Sequence, residues 1–281
     1  MADTALALVE GANGSSDLPP VAGDVLDHLA TEECDPLALA QLISRDAALA
    51  VRALKIVNSS FCAPPREIDT LRDAIALLGG SKLRSVVVAA AARQVFAGFG
   101  NAEHLFWEHA VGAAAASAVL ARELDCLPGH EALVSGLVHD VGRLLICSQA
   151  PDEYRRVLQL AHGDGKSLVA AEVEVLGFDH AEVAHHLLAS WKLGGRLARA
   201  AGAHHDLARA DADDGALPLA AVLQVADRIC QLEGVGYRRP EAELEVADCP
   251  GAEALGLEPG DVGELIAPFR ESYQRERSVF D

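Results

Sequence analysis

Apolar residues recur along this chain three and four positions apart, and almost never in strict alternation. That period belongs to helices that bury one face. Val21, Val25 and Leu29 form a first stripe, opened by Leu18-Pro19-Pro20. Asp35-Pro36 sets a capping side chain before a proline at the first helical position, where the missing N–H costs nothing, and Leu39, Leu42 and Ile43 follow. A third helix is predicted over 47–57. Thr70-Leu71-Arg72-Asp73 has the form of a capping box, Gly79-Gly80 stops that helix, and Ser81 caps the next, which runs to Phe96. A second block begins near Asn101, with helices predicted over 103–124, 131–149, from Pro151, over 167–176, from Asp179 to Lys192, over 196–206 and over 217–233. The only strand-like fragment is Leu244-Glu245-Val246.

The two ends differ from this body. Residues 1–16 finish in Gly11-Ala12-Asn13-Gly14-Ser15-Ser16 and read as a flexible leader. Residues 234–281 form an acidic tail rich in Gly, Pro and Glu. It closes with an amphipathic helix carrying Val262, Leu265, Ile266, Phe269 and Tyr273, expected to cover the body or to meet a partner.

Composition narrows the classes. Of 281 residues, 51% are apolar and 23% charged, the balance of a folded chain, with length for one large core or two packed sub-bundles. Lys and Arg total 23 against 42 Asp and Glu, a net charge of −19, which argues against a nucleic-acid partner or an anionic membrane surface. With two Trp, three Tyr and seven Phe the chain has few rings for stacking bases. The N-terminal stretch lacks Lys and Arg, and the longest apolar run, Val86 to Ala92, is far short of a membrane span, so a cytoplasmic location is expected. The six cysteines are scattered without a CxxC pair and read as reduced thiols.

The candidate chemistry lies in histidines and carboxylates on apolar helices: His109, the His139-Asp140 pair, His180, the His204-His205 doublet and Asp227 beside Val225 and Ala226. A lone buried histidine is ordinarily a hydrogen-bonded core residue. A buried carboxylate is more demanding, since it must be paired, hydrogen-bonded or metal-bound. A site drawing imidazoles and carboxylates from several helices would satisfy both, and without thiolate it suits Fe, Mn, Ni, Zn or Mg. His185 and His186 read as surface or packing residues. Glu172 and Glu174 read as a solvated face, with Glu172 alternatively orienting a histidine.

Several of these segments together resemble the HDOD domain (HD-related output domain), a regulatory branch of the HD phosphohydrolase superfamily. The resemblance runs over residues 17–233. Its first block is Leu18-Pro19-Pro20, Leu42-Ile43-Ser44-Arg45-Asp46, the run from Leu54 to Phe61, and the run from Ile68 to Gly79. Its second is Phe106-Trp107-Glu108-His109, Gly136-Leu137-Val138-His139-Asp140-Val141-Gly142, the segment from Gly177 to Trp191, and His204-His205.

The resemblance implies an all-α fold in two packed helical sub-bundles, residues 17–100 and an HD-like 101–233. It implies a bacterial signalling role exerted by binding signalling proteins or a nucleotide ligand. The superfamily's minimal metal ligands map onto His109, His139, Asp140 and Asp227, and the extended set adds His180, His204 and His205. All seven positions are occupied, which implies one or two divalent ions with Asp140 as their bridge. The alternative function is a metal-dependent phosphohydrolase of nucleotides or cyclic dinucleotides, with Asp140 and Arg143 as catalytic residues. Two departures count against cyclic di-GMP cleavage. Arg143 stands where the HD-GYP phosphodiesterases usually have Lys, and no Gly-Tyr-Pro motif follows the His doublet.

Overall fold

In the computed structural model, residues 4–12, 18–30, 35–59, 62–96, 101–163, 166–191, 193–210, 215–236 and 244–280 are described. They are helical, with no strand among them. Helix α1 spans Thr4–Gly11, α2 Pro20–Leu29, α3 Pro36–Ile43, α4 Ala47–Val57 and α5 Leu71–Val95. The second sub-bundle contains α6 Asn101–Glu123, α7 Gly129–Val138, α8 Val141–Gln149, α9 Pro151–Gly163, α10 Leu168–Leu176, α11 His180–Ser190, α12 Gly195–Ala203 and α13 Ala216–Glu233. Two further helices follow, α14 Pro250–Ala254 and α15 Pro259–Phe280.

Caps form at the helix starts, two of them where the sequence places them. Asp35 accepts from Leu37 N and Thr70 from Asp73 N as expected; Asp46, accepting from Leu49 N, and Ser167, accepting from Ala170 N, add two caps not read from the sequence. Each satisfies an amide that a helix start leaves without a partner. Ser81, expected to cap a helix, lies inside α5 with its hydroxyl 3.3 Å from His130 Nε2. Gly79 stands at φ 68° inside α5 and kinks it, the predicted stop. By length and composition α5 is the one helix among the described residues that could cross a membrane, yet 56% of its most apolar window is buried in the body. Asn58 is a structural cap: its amide accepts from Ile68 N and donates to Ile68 O, both at 2.8 Å, pinning the chain after α4.

Helices α2 to α5 pack together. In the second sub-bundle α6 lies against α7 and α13, and α11 against α8 and α12. Contact of α5 with α7 joins the two halves, and a continuous apolar cluster runs from Leu39 and Ile43 through Val87 and Val119 to Leu188. Helix α15 covers the body as one of the two expectations had it. Val262, Leu265, Phe269 and Tyr273 are buried, and the helix touches both α6 and α4.

Three further expectations change. Thr4–Gly11 is a helix packed on α11 and α8 with Ala5 fully buried, not part of a flexible leader; residues 13–17 lie outside the described residues. Leu244-Glu245-Val246 enters a 3₁₀ turn, Val246–Asp248, rather than a strand. The single helix expected over 131–149 is two, broken at His139-Asp140. Ser60, Phe61, Lys192 and the acidic loop residues 211–214 are outside the described residues.

Candidate metal centre

Two glycines set the geometry. A Cβ on Gly136 of α7 would lie 2.4 Å from Ala113 O of α6, and one on Gly142 of α8 would lie 2.1 Å from His180 O of α11. Backbone therefore meets backbone at both crossings, a closeness only glycine allows. The first crossing brings His109 of α6 opposite His139. The second brings the start of α8 against the start of α11, so that Asp140 Oδ1 stands 3.0 Å from His180 Nε2.

The break between α7 and α8 has a chemical consequence. A helix end leaves carbonyls without backbone partners. His139, one step past α7, donates its Nδ1–H to Gly136 O at 2.7 Å, and His204, one step past α12, donates its Nδ1–H to Ala201 O at 2.6 Å. A carbonyl only accepts, so the proton is on Nδ1 and the Nε2 lone pair of each ring points inward. His180 is oriented by another route: its Nδ1 donates to Glu172 Oε2 at 2.6 Å, which leaves Nε2 as the nitrogen that faces inward.

All seven sequence-predicted ligands converge. Asp140, His180, His204 and His205 form one group and His109, His139 and Asp227 a second, with the donor atoms of each within 4.8 Å of one another. Asp140 lies between the groups. Its Oδ1 is 3.5 Å from His139 Nε2 and 3.6 Å from His204 Nε2, and its Oδ2 is 3.5 Å from His109 Nε2. His109 Nε2 is 3.3 Å from Asp227 Oδ1, while Gln231, one turn along α13, donates to Asp227 Oδ2 at 3.0 Å. Arg143 Nη1 donates to Asp140 Oδ2 at 2.7 Å, and its guanidinium lies over the Phe106 ring.

Burial is nearly complete; among the carboxylates Asp140 is 8% and Asp227 6% exposed. Burial pushes the His139 imidazole below its ordinary value and His204 down to about 3, and it holds His205 well down too. These rings are neutral. Burial acts on Asp140 in the opposite sense, but His139, Arg143 and His180 outweigh it and hold the carboxyl well below its ordinary range. Burial also opposes charge on His180, yet Glu172 and Asp140 raise it to about 10.

The arrangement fits a metal ion. His139 Nε2 and His204 Nε2 are buried and make no hydrogen bond, although buried polar atoms ordinarily do. Neutral imidazole lone pairs beside two ionised carboxylates are a donor set for a divalent cation.

Three residues around the centre were not assigned from sequence, or were assigned otherwise. Glu172 is fully buried against His180, in line with the alternative of orienting a histidine and not with the favoured solvated face. Gln231 lies four residues after Asp227, a spacing that could have shown it. Gln224 donates to His204 O at 2.9 Å and accepts from Gly251 N at 2.7 Å, tying the His doublet to α14. His185, with its Nδ1 3.1 Å from Ala198 O, has the packing role expected.

Residues 16–207 match the HDOD domain family, a stretch that contains every predicted ligand except Asp227. A Geobacter sulfurreducens protein, described as an HDOD domain protein of unknown function, superposes over 99% of both chains with a TM-score of 0.76 at 23% identity. A Shewanella amazonensis protein, provisionally named a phosphohydrolase, superposes over 98% of both with a TM-score of 0.73 at 26% identity. A Marinobacter aquaeolei protein, provisionally named a signal transduction protein, aligns with 99% of this chain and 63% of its own, with a TM-score of 0.67 at 19% identity. No curated protein sequence matches the chain.

Proposed function

The chain belongs to the HDOD domain family, and from that premise we propose that it is a regulatory signalling module built around a divalent-metal centre, acting by binding a partner protein or a nucleotide rather than by rapid catalysis. The observation that carries the metal is the inward Nε2 lone pairs of His139 and His204, fixed by helix-end carbonyls and lacking hydrogen bonds of their own. His109, His139, Asp140, His180, His204, His205 and Asp227 would hold one or two ions. A bound divalent ion supplies Lewis acidity toward a water or phosphate oxygen. The residues themselves fix tautomers, exclude solvent and hold Asp140 ionised between two clusters.

Burial supports the regulatory side. A phosphoester must reach the metal-facing oxygens of Asp140, and the surrounding histidines and α8–α11 contact enclose them. The first sub-bundle, which carries no comparable cluster of donors among its described residues, offers surface for a partner.

The second reading is a metal-dependent phosphohydrolase. Arg143 favours it, because a guanidinium beside a metal-facing carboxylate can hold a phosphate bidentately. The provisional name of the 26%-identical Shewanella protein points the same way.

Metal analysis of protein purified without chelators tests the metal centre. One to two equivalents of a transition metal are expected. Less than about a tenth of an equivalent, unchanged after reconstitution, overturns it.

A further inference from the structure

Helices α9 and α10 form a hairpin packed chiefly on itself, with α9 also touching α8. Two of its buried side chains nevertheless reach the centre. Tyr154, 5% exposed, presents its hydroxyl to Arg143 Nε at 3.5 Å, and Arg143 holds Asp140. Glu172, 0% exposed, accepts with the same oxygen from the backbone N–H of His180 at 3.0 Å and from its Nδ1–H at 2.6 Å. His180 in turn faces Asp140 Oδ1. The hairpin thus approaches the centre from both flanks of Asp140.

Burying a carboxylate completely is expensive unless its charge is used. Glu172 uses it on one residue, gripping both the backbone and the ring of His180. With the main chain and Nδ1 both fixed to Oε2, ring rotation about χ2 is blocked and only Nε2 can face inward. The opposite face of α10 shows what an unused carboxylate does there. Glu174 is exposed and pairs with Lys166 at the surface.

We propose that Glu172 is the positioning residue of the centre: it fixes the tautomer and rotation of His180, and through it the α9–α10 hairpin sets how tightly the Asp140-His180-His204-His205 group binds a divalent ion. The proposal rests on the metal reading for its affinity consequence, and on geometry alone for the ring.

The test uses the full chain with zinc as probe. In Glu172→Gln the zinc affinity of the wild-type protein is expected to fall by about 10- to 100-fold, the usual effect of removing a carboxylate behind a metal-facing histidine. Glu174→Gln is expected to leave it unchanged. Long-range ¹⁵N imidazole spectra provide a readout that a merely structural role would not move. Wild-type His180 should show a protonated Nδ1 with and without zinc, and Glu172→Gln should lose that fixed pattern while His139 and His204 keep theirs. Should Glu172→Gln fail to fold, the wild-type spectra decide alone. Affinity within twofold of wild type, or a wild-type His180 protonated only at Nε2, overturns the proposal. If the wild-type chain takes up no metal, the metal reading fails, and the metal-free spectra still decide the role of Glu172.

Discussion

His180 Nε2 and His205 Nε2 face each other at 2.9 Å, two ring nitrogens at hydrogen-bonding distance. Two lone pairs repel, so one nitrogen carries a proton. The environment selects which. Burial and the neighbouring histidines hold His205 well below its ordinary value, whereas Glu172 and Asp140, against the effect of burial, raise His180 to about 10. His180 is the imidazolium and donates; neutral His205 accepts.

Metal binding should therefore expel a proton. At pH 7.5 His180 is below its folded value of about 10 and carries both ring protons in the metal-free protein. A cation at Nε2 must displace one, so uptake releases about one proton per ion bound there. Zinc titrations by calorimetry, in buffers of different ionisation enthalpy, should show that slope. Apparent affinity should climb as pH rises from about 6.5 toward 10 and then level off. The sign for stability is opposite. A raised folded value stabilises the metal-free protein fully below about 6.5, and that contribution is lost as pH rises through about 10. A heat independent of buffer would contradict this assignment.

Gly142→Ala should cost more stability than any other single-methyl addition to α8. Its Cβ would lie 2.1 Å from His180 O and 2.7 Å from Ala184 N, both backbone atoms that cannot step aside. Helices α8 and α11 would separate, taking Asp140 from His180. We expect a loss of about 3 kcal/mol or more, at the upper end of overpacking effects, together with loss of metal uptake. Gly23→Ala in α2 is the control: nothing lies within 4 Å of its Cβ, and up to about 1 kcal/mol of stabilisation is expected from helix propensity. Thermal and urea unfolding of the two variants read the contrast.

These contacts also show where the sequence was legible. Caps are local chemistry, so Asp35, Thr70 and the Gly79 stop could be placed without a structure. The seven converging histidines and aspartates were picked out through the family resemblance, because their types and order survive in one dimension. The break at His139-Asp140 was not. Leu133, Val134, Leu137, Val138, Val141, Leu144 and Leu145 continue a helical stripe straight through it, and the tight meeting of Gly142 with the backbone of α11 just past the break leaves no mark in that pattern. Glu172 was left between two readings for a related reason. Helix α10 is apolar nearly all round, so periodicity cannot choose its buried face. The structure buries Glu172 completely while leaving Val173 46% exposed, an inversion that makes sense only once His180 is opposite.

Asp179, the residue before His180, should govern the acid limb of stability. It caps α11 by accepting from Glu182 N at 2.9 Å and pairs with Arg209 at 2.8 Å. Burial favours its neutral form, but Arg209 and the Glu182 amide outweigh that and lower its value from 3.8. A depressed folded value means the contribution is present above about pH 4 and lost as pH falls through the folded value. Asp179→Ala should cost about 1–2 kcal/mol at neutral pH, from the cap and the charged hydrogen bond together. The gap between variant and wild type should narrow below pH 4. Urea midpoints measured from pH 3 to 7 would show it, and a gap constant across that range would assign the effect to packing instead.

Arg143 separates the two functional readings. Its Nη1 holds Asp140 Oδ2 at 2.7 Å, and its plane is steadied over Phe106, so it is a fixed cation at the edge of the centre. On the regulatory reading it neutralises Asp140, and Arg143→Ala frees that oxygen without removing a ligand. Metal content should then stay at the wild-type level, while both proteins leave a generic phosphodiester and a cyclic dinucleotide uncleaved above background. On the hydrolase reading the guanidinium would stabilise charge developing on a phosphate, and its loss should lower turnover by about 100-fold or more. Assays with manganese-, iron- and zinc-loaded protein, with Asp140→Ala as the ligand-deleted control, distinguish them. Rapid wild-type turnover that Arg143→Ala and Asp140→Ala both abolish would replace the regulatory reading with the enzyme. Turnover that survives Asp140→Ala would instead trace to a contaminant, because that variant removes the carboxylate that stands between the two candidate donor groups.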